Sequence, residues 1–376
     1  MRQGSRVRSF KLAAALILGL LVSTIGLTGC KNFFTPISSS STTVGSATYA
    51  YVTNYGGTLS AYTLTSGVLA DISGSPVTLP STPTSIVVSP NNDYLYVGTS
   101  LGIYLYTIGT DGVLTEGNSD TIVSAIVPVS MVMDSTNTWL IVASASTTLE
   151  AIQVTASTGL PTGTTATASL SAATATQLVI SPANTQVFVA MGAGGTDAVG
   201  FTASSTSPFG SEVTVKLDSG STSANAVAVN STSAYVFVAE ATSTTGVLRV
   251  MSTSNLGTNL NTYSVGDGPS AVLSDATDAY VYVANKTDNT ISGFSLDSSS
   301  GALTALTDSP FSSAKEPLAL AEDSTDSYIL TIGYGNNPNF WVYSFDSTDA
   351  GTLDVTTSTT TGTTDPSLSN AIALSH

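Results

Sequence analysis

The sequence predicts an all-β fold, a seven-bladed β-propeller of four-stranded antiparallel blades that the C-terminal strand closes. A short string, usually an aromatic residue followed by alternating apolar positions that end in Val, recurs seven times at steps of 45 to 49 residues. A period in that range is typical of one small sheet per repeat in a radial arrangement. The copies are YAYVTN (49–54), YLYVGT (94–99), WLIVAS (139–144), QVFVAM (186–191), YVFVAE (235–240), YVYVAN (280–285) and YILTIG (328–333).

Each repeat contains four segments with the alternation of a strand. The first is apolar and often starts at Pro, as in PTSIVVSP (83–90), and a turn rich in Asn, Asp and Ser follows it. Such side chains bond their own backbone and therefore favour turns. The recurring string is the second strand, TISGFSL (290–296) illustrates the third, and GALTALT (301–307) illustrates a fourth that begins near Gly.

The two ends of the repeat region predict how the ring closes. The first repeat lacks its own leading strand, and the last segment, SNAIALSH (369–376), has the pattern of that missing strand. Pairing the two would complete the first blade and protect the strand edges. We therefore expect one propeller over residues 47–376; two separate β-sandwiches are the alternative.

The N-terminal segment has the pattern of an export signal. Four basic residues precede the apolar stretch LAAALILGLLVSTIGL (12–27), and LTGC (27–30) ends at Cys30, the only cysteine. This pattern is typical of a secretory signal and resembles the lipobox of bacterial lipoproteins. The resemblance implies a signal peptide over 1–29, a lipid on Cys30 that anchors the chain to a membrane, and a Ser/Thr-rich tether over 30–46. An ordinary signal peptide is the alternative.

The charge balance excludes one class of partner. Beyond residue 29 the chain keeps five basic and all 25 acidic residues, so its net side-chain charge is 5 − 25 = −20. Nucleic-acid binding depends on basic residues that neutralise phosphates, so we expect no nucleic-acid partner. An acidic surface also favours solubility, and we expect a monomer.

Several strings resemble a known propeller family. YVTN (51–54), YVANKTDNTISGF (282–294), PTSIVVSPNNDYLYV (83–97) and SSGALTALTDSPF (299–311) are similar to YVTN-repeat proteins and to lactonase-type, 6-phosphogluconolactonase-like seven-bladed propellers. The resemblance covers nearly all of 47–376 and implies lactone hydrolysis. Such enzymes typically use His, Arg and acidic side chains, whereas this chain has one His, His376, and only Arg249 beyond the signal. No catalytic position of the family can therefore be transferred.

Polar residues gather at the loops of blades five to seven and at the closure. The loop after strand two and the loop before strand one open on the same face of a blade, so these loops converge on the central channel. Candidate general bases are Glu240, Asp267 and Glu316. Candidate ligand-binding residues are Asn54, Tyr55, Asn285, Lys286, Lys315, Tyr334 and Asp365. Solvated loop ends with no function are the alternative.

Other chemistries find little support. Zinc sites need Cys and His clusters, which this chain lacks, so we expect no metal and no cofactor beyond weak Ca²⁺ binding by loop oxygens. The sequence leads to an exported, lipid-anchored protein at the outer membrane or at the periplasmic or extracellular face. We expect it to act as a binding scaffold for an envelope protein or glycan. A lactonase-like hydrolase with an atypical, His-poor site is the alternative, and the sequence leaves open whether the protein is an enzyme.

Overall fold

The described part of the chain is built from antiparallel β-strands. A computed structural model of the chain describes residues 48–117, 123–335, 338–361 and 369–376. The predicted signal segment, Cys30, the tether and Asp365 lie outside these residues. Within the described ranges, no helix has the length and the hydropathy of a membrane span.

The strands form seven sheets, which are the blades. Blade 1 contains β1 (Thr48–Asn54), β2 (Thr58–Thr65), β3 (Val68–Asp71) and β4 (Val77–Thr78). Blade 2 contains β5 (Pro83–Val88), β6 (Tyr94–Thr99), β7 (Gly102–Ile108) and β8 (Leu114–Glu116), and blade 3 contains β9 (Pro128–Met133), β10 (Trp139–Ser144), β11 (Thr148–Val154) and β12 (Pro161–Ser169). Blade 4 contains β13 (Gln177–Ile180), β14 (Gln186–Ala190), β15 (Thr196–Phe201) and β16 (Phe209–Val215).

The remaining blades repeat the same order. Blade 5 contains β17 (Ser221–Val229), β18 (Tyr235–Thr242), β19 (Gly246–Ser252) and β20 (Asn255–Val265). Blade 6 contains β21 (Pro269–Ser274), β22 (Tyr280–Asn285), β23 (Thr290–Asp297), β24 (Ala302–Ala305) and β25 (Phe311–Ser312). Blade 7 contains β26 (Pro317–Glu322), β27 (Tyr328–Gly333), β28 (Phe340–Phe345) and β29 (Leu353–Thr359), and β30 (Ser369–Leu374) follows it in the chain.

The seven-bladed ring and its closure are confirmed. Strand β30 pairs antiparallel with β1, for example Leu374 opposite Ala50, and so becomes the innermost strand of blade 1. The innermost strands contact one another in sequence around the ring, and β30 contacts both β26 and β5. Blades 1 and 6 differ from the prediction, because β4 and β25 add a two-residue strand beside the third strand of the blade.

The hydrophobic core lies between the blades. The described residues contain seven buried clusters, and each one joins two neighbouring sheets. The recurring strings supply their centres: Val52, Val97, Val189 and Val238, for example, are fully buried. Thr331 replaces Val in the seventh copy, and its hydroxyl donates to the Ala319 carbonyl over 2.9 Å. Burial of the recurring string on both faces therefore explains its apolar alternation.

The turns between strands one and two share one pattern of side-chain hydrogen bonds to the backbone. At the start of the turn, a buried Asp, Asn or Ser accepts the backbone N–H of residues four and five positions later. In blade 6, for example, Asp275 Oδ1 accepts from Ala279 and Tyr280. This local capping confirms the turns expected from Asn, Asp and Ser.

The C-terminal residue takes part in ring closure at these turns. Asn92 Nδ2 donates to the His376 carbonyl over 2.7 Å, and the His376 N–H donates to Asn92 Oδ1 over 2.8 Å. The only histidine therefore lies where the turn of blade 2 meets the end of β30, on the face opposite the loops that precede strand one.

The string aromatics fix each blade to the next. Tyr280, at the start of the sixth string, packs on Gly351 in the turn between β28 and β29, and Tyr282 Oη donates to the Gly351 carbonyl over 2.7 Å. Gly351 has φ +84°, a conformation that Gly adopts without strain. The pairs Tyr49 with Gly112, Tyr94 with Gly159, Tyr235 with Gly301 and Tyr328 with Gly67 repeat this contact.

Candidate functional site

A charged cluster lies on the face formed by the loops before strand one and after strand two, which we call the upper face. Lys286 Nζ lies 3.9 Å from Glu316 Oε2, and Lys315 Nζ lies 3.9 Å from Glu316 Oε1. The Lys286 and Lys315 side chains are 44% and 47% exposed, and the Glu316 side chain is 33% exposed. A direct charge-assisted hydrogen bond is about 2.7–2.9 Å long, so neither lysine forms one with Glu316, and both ammonium groups keep donors for water or a ligand oxygen.

The backbone of Glu316 is held in an uncommon conformation. Its φ is +48°, in the left-handed region that residues other than Gly rarely adopt. Two hydrogen bonds fix it: the Glu316 N–H donates to Asn289 Oδ1 over 2.7 Å, and the Glu316 carbonyl accepts from the Tyr334 N–H over 3.1 Å. Backbone strain of this kind clusters at functional sites, so it adds weight to Glu316 as a candidate.

An exposed aromatic pair borders the charged cluster. Tyr55 and Tyr334 make an edge-to-face contact with ring centroids 5.9 Å apart, and the residues are 48% and 36% exposed. Gly335, the next residue after Tyr334, lies so close that a Cβ placed there would be 3.6 Å from Lys315 Nζ. The fold thus brings together five residues that the sequence analysis selected: Tyr55, Lys286, Lys315, Glu316 and Tyr334.

Two other selected residues have internal partners. Asn54 and Asn285 end the second strands of blades 1 and 6 and are fully buried. The Asn285 amide donates to Thr290 and Ser292 on the next strand over 3.0 and 2.9 Å, and Asn54 does the same toward its own third strand. In this arrangement the two asparagines hold strand two to strand three.

Of the remaining candidates, Glu240 has its own ion-pair partner, whereas Asp267 lies next to the loop of Lys286, because its carbonyl accepts the Thr287 N–H over 3.2 Å. Glu240 is 1% exposed, pairs with Arg249 at 3.6 Å and accepts the Asp218 N–H over 3.0 Å. Asp267 is partly exposed in the loop before β21, where its N–H donates to Asp288 over 2.8 Å. Asp365 lies outside the described residues. The roles predicted for these three residues stay predictions.

A cavity of about 670 Å³ lies on the side of blades 2 and 3, whose loops contributed no candidate to the sequence analysis. Its lining includes Tyr55, Ile126, Val127, Ser144 and Glu150. Glu150 was missed because it lies within strand β11 and not in a loop. The available signal was a single carboxylate in the otherwise uncharged string TLEAIQV.

Comparisons with known proteins identify structural neighbours only. No family model and no curated protein sequence matches the chain. A Bacteroides fragilis protein provisionally named 6-phosphogluconolactonase superposes with a TM-score of 0.71 at 12% identity and covers 89% of this chain and 99% of its own. The periplasmic gluconolactonase of Pseudomonas aeruginosa superposes with a TM-score of 0.67 at 16% identity, with coverages of 88% and 99%.

The same fold also serves other activities. Hydrazine synthase of Kuenenia stuttgartiensis is similar over 75% of this chain and 91% of its own, with a TM-score of 0.57 and 11% identity. At such identities the likeness shows architecture, and propellers host many functions. The resemblance to lactonase-type seven-bladed propellers that the repeat strings indicated is therefore confirmed at the level of the fold.

Proposed function

We propose that the protein hydrolyses an uncharged lactone at the upper face, at the cluster of Lys286, Lys315 and Glu316. The observation that supports this most is one partly exposed carboxylate between two lysine ammonium groups, beside the exposed Tyr55–Tyr334 pair. Acyl transfer to water needs a base for the water and positive charge near the carbonyl oxygen. The neighbours named as lactonases support the same reaction class.

The proposed steps follow from these groups. The Glu316 carboxylate accepts a proton from a water molecule while the water oxygen attacks the lactone carbonyl carbon. A lysine ammonium stabilises the negative charge that develops on the carbonyl oxygen. The bond between the carbonyl carbon and the ring oxygen then breaks, and the ring oxygen takes the proton from Glu316. The product is an open-chain hydroxy acid, whose carboxyl group releases a proton to the solvent, and the second lysine attracts the negative charge of the resulting carboxylate.

The charge of the cluster favours an uncharged substrate. Two lysines and one glutamate give a local charge of +1 in a chain whose net charge beyond residue 29 is −20, with 5 basic and 25 acidic residues. A phosphorylated lactone would bring further negative charge, which needs several cationic partners. Arg249 does not serve this purpose, because it is committed to Glu240 and to the Lys216 carbonyl.

A lactone panel tests the proposal. Initial rates of acid release, corrected for spontaneous hydrolysis, would be measured with glucono-δ-lactone, γ-butyrolactone and 6-phosphoglucono-δ-lactone. We expect catalysis to be fastest with an uncharged lactone. The double variant Lys286→Met/Lys315→Met should lose about 100-fold in kcat/KM, the usual effect of removing transition-state charge stabilisation. Lys216→Met, which removes one exposed lysine elsewhere, is the matched control.

A second candidate is binding of an envelope glycan without catalysis. The exposed Tyr55–Tyr334 pair favours it, because aromatic rings supply large apolar contact surfaces with polar tips. Saturable binding of an oligosaccharide that Tyr334→Ala abolishes, together with no hydrolysis of any lactone in the panel, would support this scaffold function over the hydrolase.

We infer further that the chain is exported and anchored by a lipid on Cys30. The support is the basic and apolar N-terminal segment that ends in LTGC, together with the periplasmic location stated for the Pseudomonas aeruginosa neighbour. Mass spectrometry of the mature N-terminus should find a cleaved, lipid-modified Cys30. An unmodified Cys30 after export would overturn the lipid anchor.

A further inference from the structure

The cavity beside blades 2 and 3 has the dimensions of a small-molecule site. Its volume of about 670 Å³ falls within the range of about 300–1,000 Å³ that is usual for ligand pockets. Apolar surface contributes most of its lining, including Pro83, Ile126, Val127 and Pro128. Val127 is 44% exposed, so its apolar side chain is accessible to a ligand in the cavity. The lining therefore favours a ligand with a hydrocarbon body.

The ionisable groups of the cavity determine which sign of charge a ligand should carry. Glu150 is the only ionisable group in the lining apart from the Tyr55 phenol, and no lysine, arginine or histidine of the described residues lines it. Within those same residues, no ion pair involves the Glu150 carboxylate. A carboxylate without a cationic partner in a largely apolar site attracts a cation and repels an anion.

Two further features favour a cation. Glu150 and Ile126 also line a second cavity of about 510 Å³, so the two cavities share these residues. Tyr55 lines the larger cavity and exposes 48% of its surface. The face of an aromatic ring attracts organic cations, above all quaternary ammonium groups. The cavity thus combines a ring, a carboxylate and apolar walls.

We propose that this cavity binds an amphiphilic organic cation, an ammonium group on a hydrocarbon body, with Glu150 beside the ammonium group and Ile126 and Val127 along the hydrocarbon. The site is distinct from the lysine–glutamate cluster, whose positive charge disfavours such a ligand, although Tyr55 borders both. The proposal does not depend on lactone hydrolysis.

Isothermal titration calorimetry of the protein with octyltrimethylammonium, kept below its micelle concentration, tests the proposal. Octanoate and octyl glucoside serve as the anionic and neutral comparisons. We expect one saturable site for the cation, with binding at least about tenfold tighter than that of octanoate. Glu150→Gln should weaken cation binding about five- to tenfold and leave octyl glucoside unchanged. Asp71→Asn, which removes an exposed carboxylate in blade 1, should change neither.

A second variant separates charge from shape. Val127→Asn should weaken binding of the cation and of octyl glucoside alike, whereas Val213→Asn, at a similarly exposed valine on an outer strand, should not. Circular dichroism of each variant would establish that it is folded. Equal affinity for octanoate and the cation, or cation binding that Glu150→Gln leaves intact, would overturn the proposal, as would the absence of saturable binding.

Discussion

The contact between Tyr280 and Gly351 predicts a sharp effect of adding one methyl group. A Cβ at Gly351 would lie 2.5 Å from Tyr280 Cδ1 and 2.9 Å from Cζ, whereas carbon atoms in contact are normally about 3.5–4.0 Å apart. Tyr280 stacks on Phe345 and its neighbour Tyr282 is fully buried, so the ring has little room to move. We therefore expect Gly351→Ala to push blades 6 and 7 apart locally.

The free energy of unfolding should fall by two separable contributions. Placing Ala at φ +84° costs about 1 kcal/mol, and overpacking against the ring costs about 1–3 kcal/mol more. Gly74 is the matched control, because it has the same φ of +84° and no other atom within 4 Å of the point that an added methyl group would occupy. Gly74→Ala should therefore show only the backbone contribution, and the free energies of unfolding of the two variants should differ by about 2 kcal/mol.

Equilibrium urea unfolding, followed by fluorescence of the two tryptophans, measures both variants. The double variant Tyr280→Ala/Gly351→Ala removes the ring that the methyl group contacts. Its free energy of unfolding should therefore fall by less than the sum of the decreases in the two single variants. Equal losses for Gly351→Ala and Gly74→Ala, or additive losses in the double variant, would refute the steric account of blade packing.

Three further predictions concern other parts of the ring. Burial raises the pKa of Glu322 from 4.5 to about 7, so the folded protein binds this proton more tightly than the unfolded chain, and the free energy of unfolding falls as pH rises from about 4.5 to 7. Urea titrations should show that Glu322→Gln removes about 1–2 kcal/mol of this fall, after allowance for the partial exposure of the side chain. A pH profile of Glu322→Gln like that of wild type would contradict this prediction. Glu240→Gln leaves Arg249 buried without a charged partner, so the free energy of unfolding should fall by about 3 kcal/mol while kcat/KM stays unchanged. A fall in kcat would instead support Glu240 as a catalytic residue. Asn92→Gly keeps the backbone conformation but loses both hydrogen bonds to His376, so the urea midpoint should fall by the equivalent of about 1 kcal/mol; an unmoved midpoint would show that this closure contributes nothing.

The ring is predictable from sequence because each blade must bury the same pattern of apolar residues against its neighbours. The strings alternate apolar residues that two neighbouring blades bury, and the orphan strand 369–376 matches the edge that β1 leaves unpaired. The same topology places Lys286, Lys315 and Glu316 on one face, since loops at equivalent blade ends must converge. Features that follow from strand order alone can therefore be inferred from the repeat pattern.

Side-chain partners are not predictable in the same way. Asn54 and Asn285 stand at loop ends like ligand-binding residues, yet their amide N–H groups donate to hydroxyl groups on the next strand. Glu240 shares its blade with Arg249, and the pairing of β18 with β19 brings the two charges together. Sequence position shows which face a residue approaches, whereas competing hydrogen bonds decide whether its polar group stays free for a ligand.

The most direct test of the proposed site is the hydrolysis of glucono-δ-lactone by the wild-type protein and by Glu316→Gln, followed as acid release in a pH-stat. The substitution keeps the shape of the side chain and removes its capacity to accept a proton from water. We expect wild-type catalysis above the spontaneous rate and a loss of about 100-fold or more in kcat for a folded Glu316→Gln variant. Full activity in Glu316→Gln, or no wild-type hydrolysis of any uncharged lactone, would contradict the account.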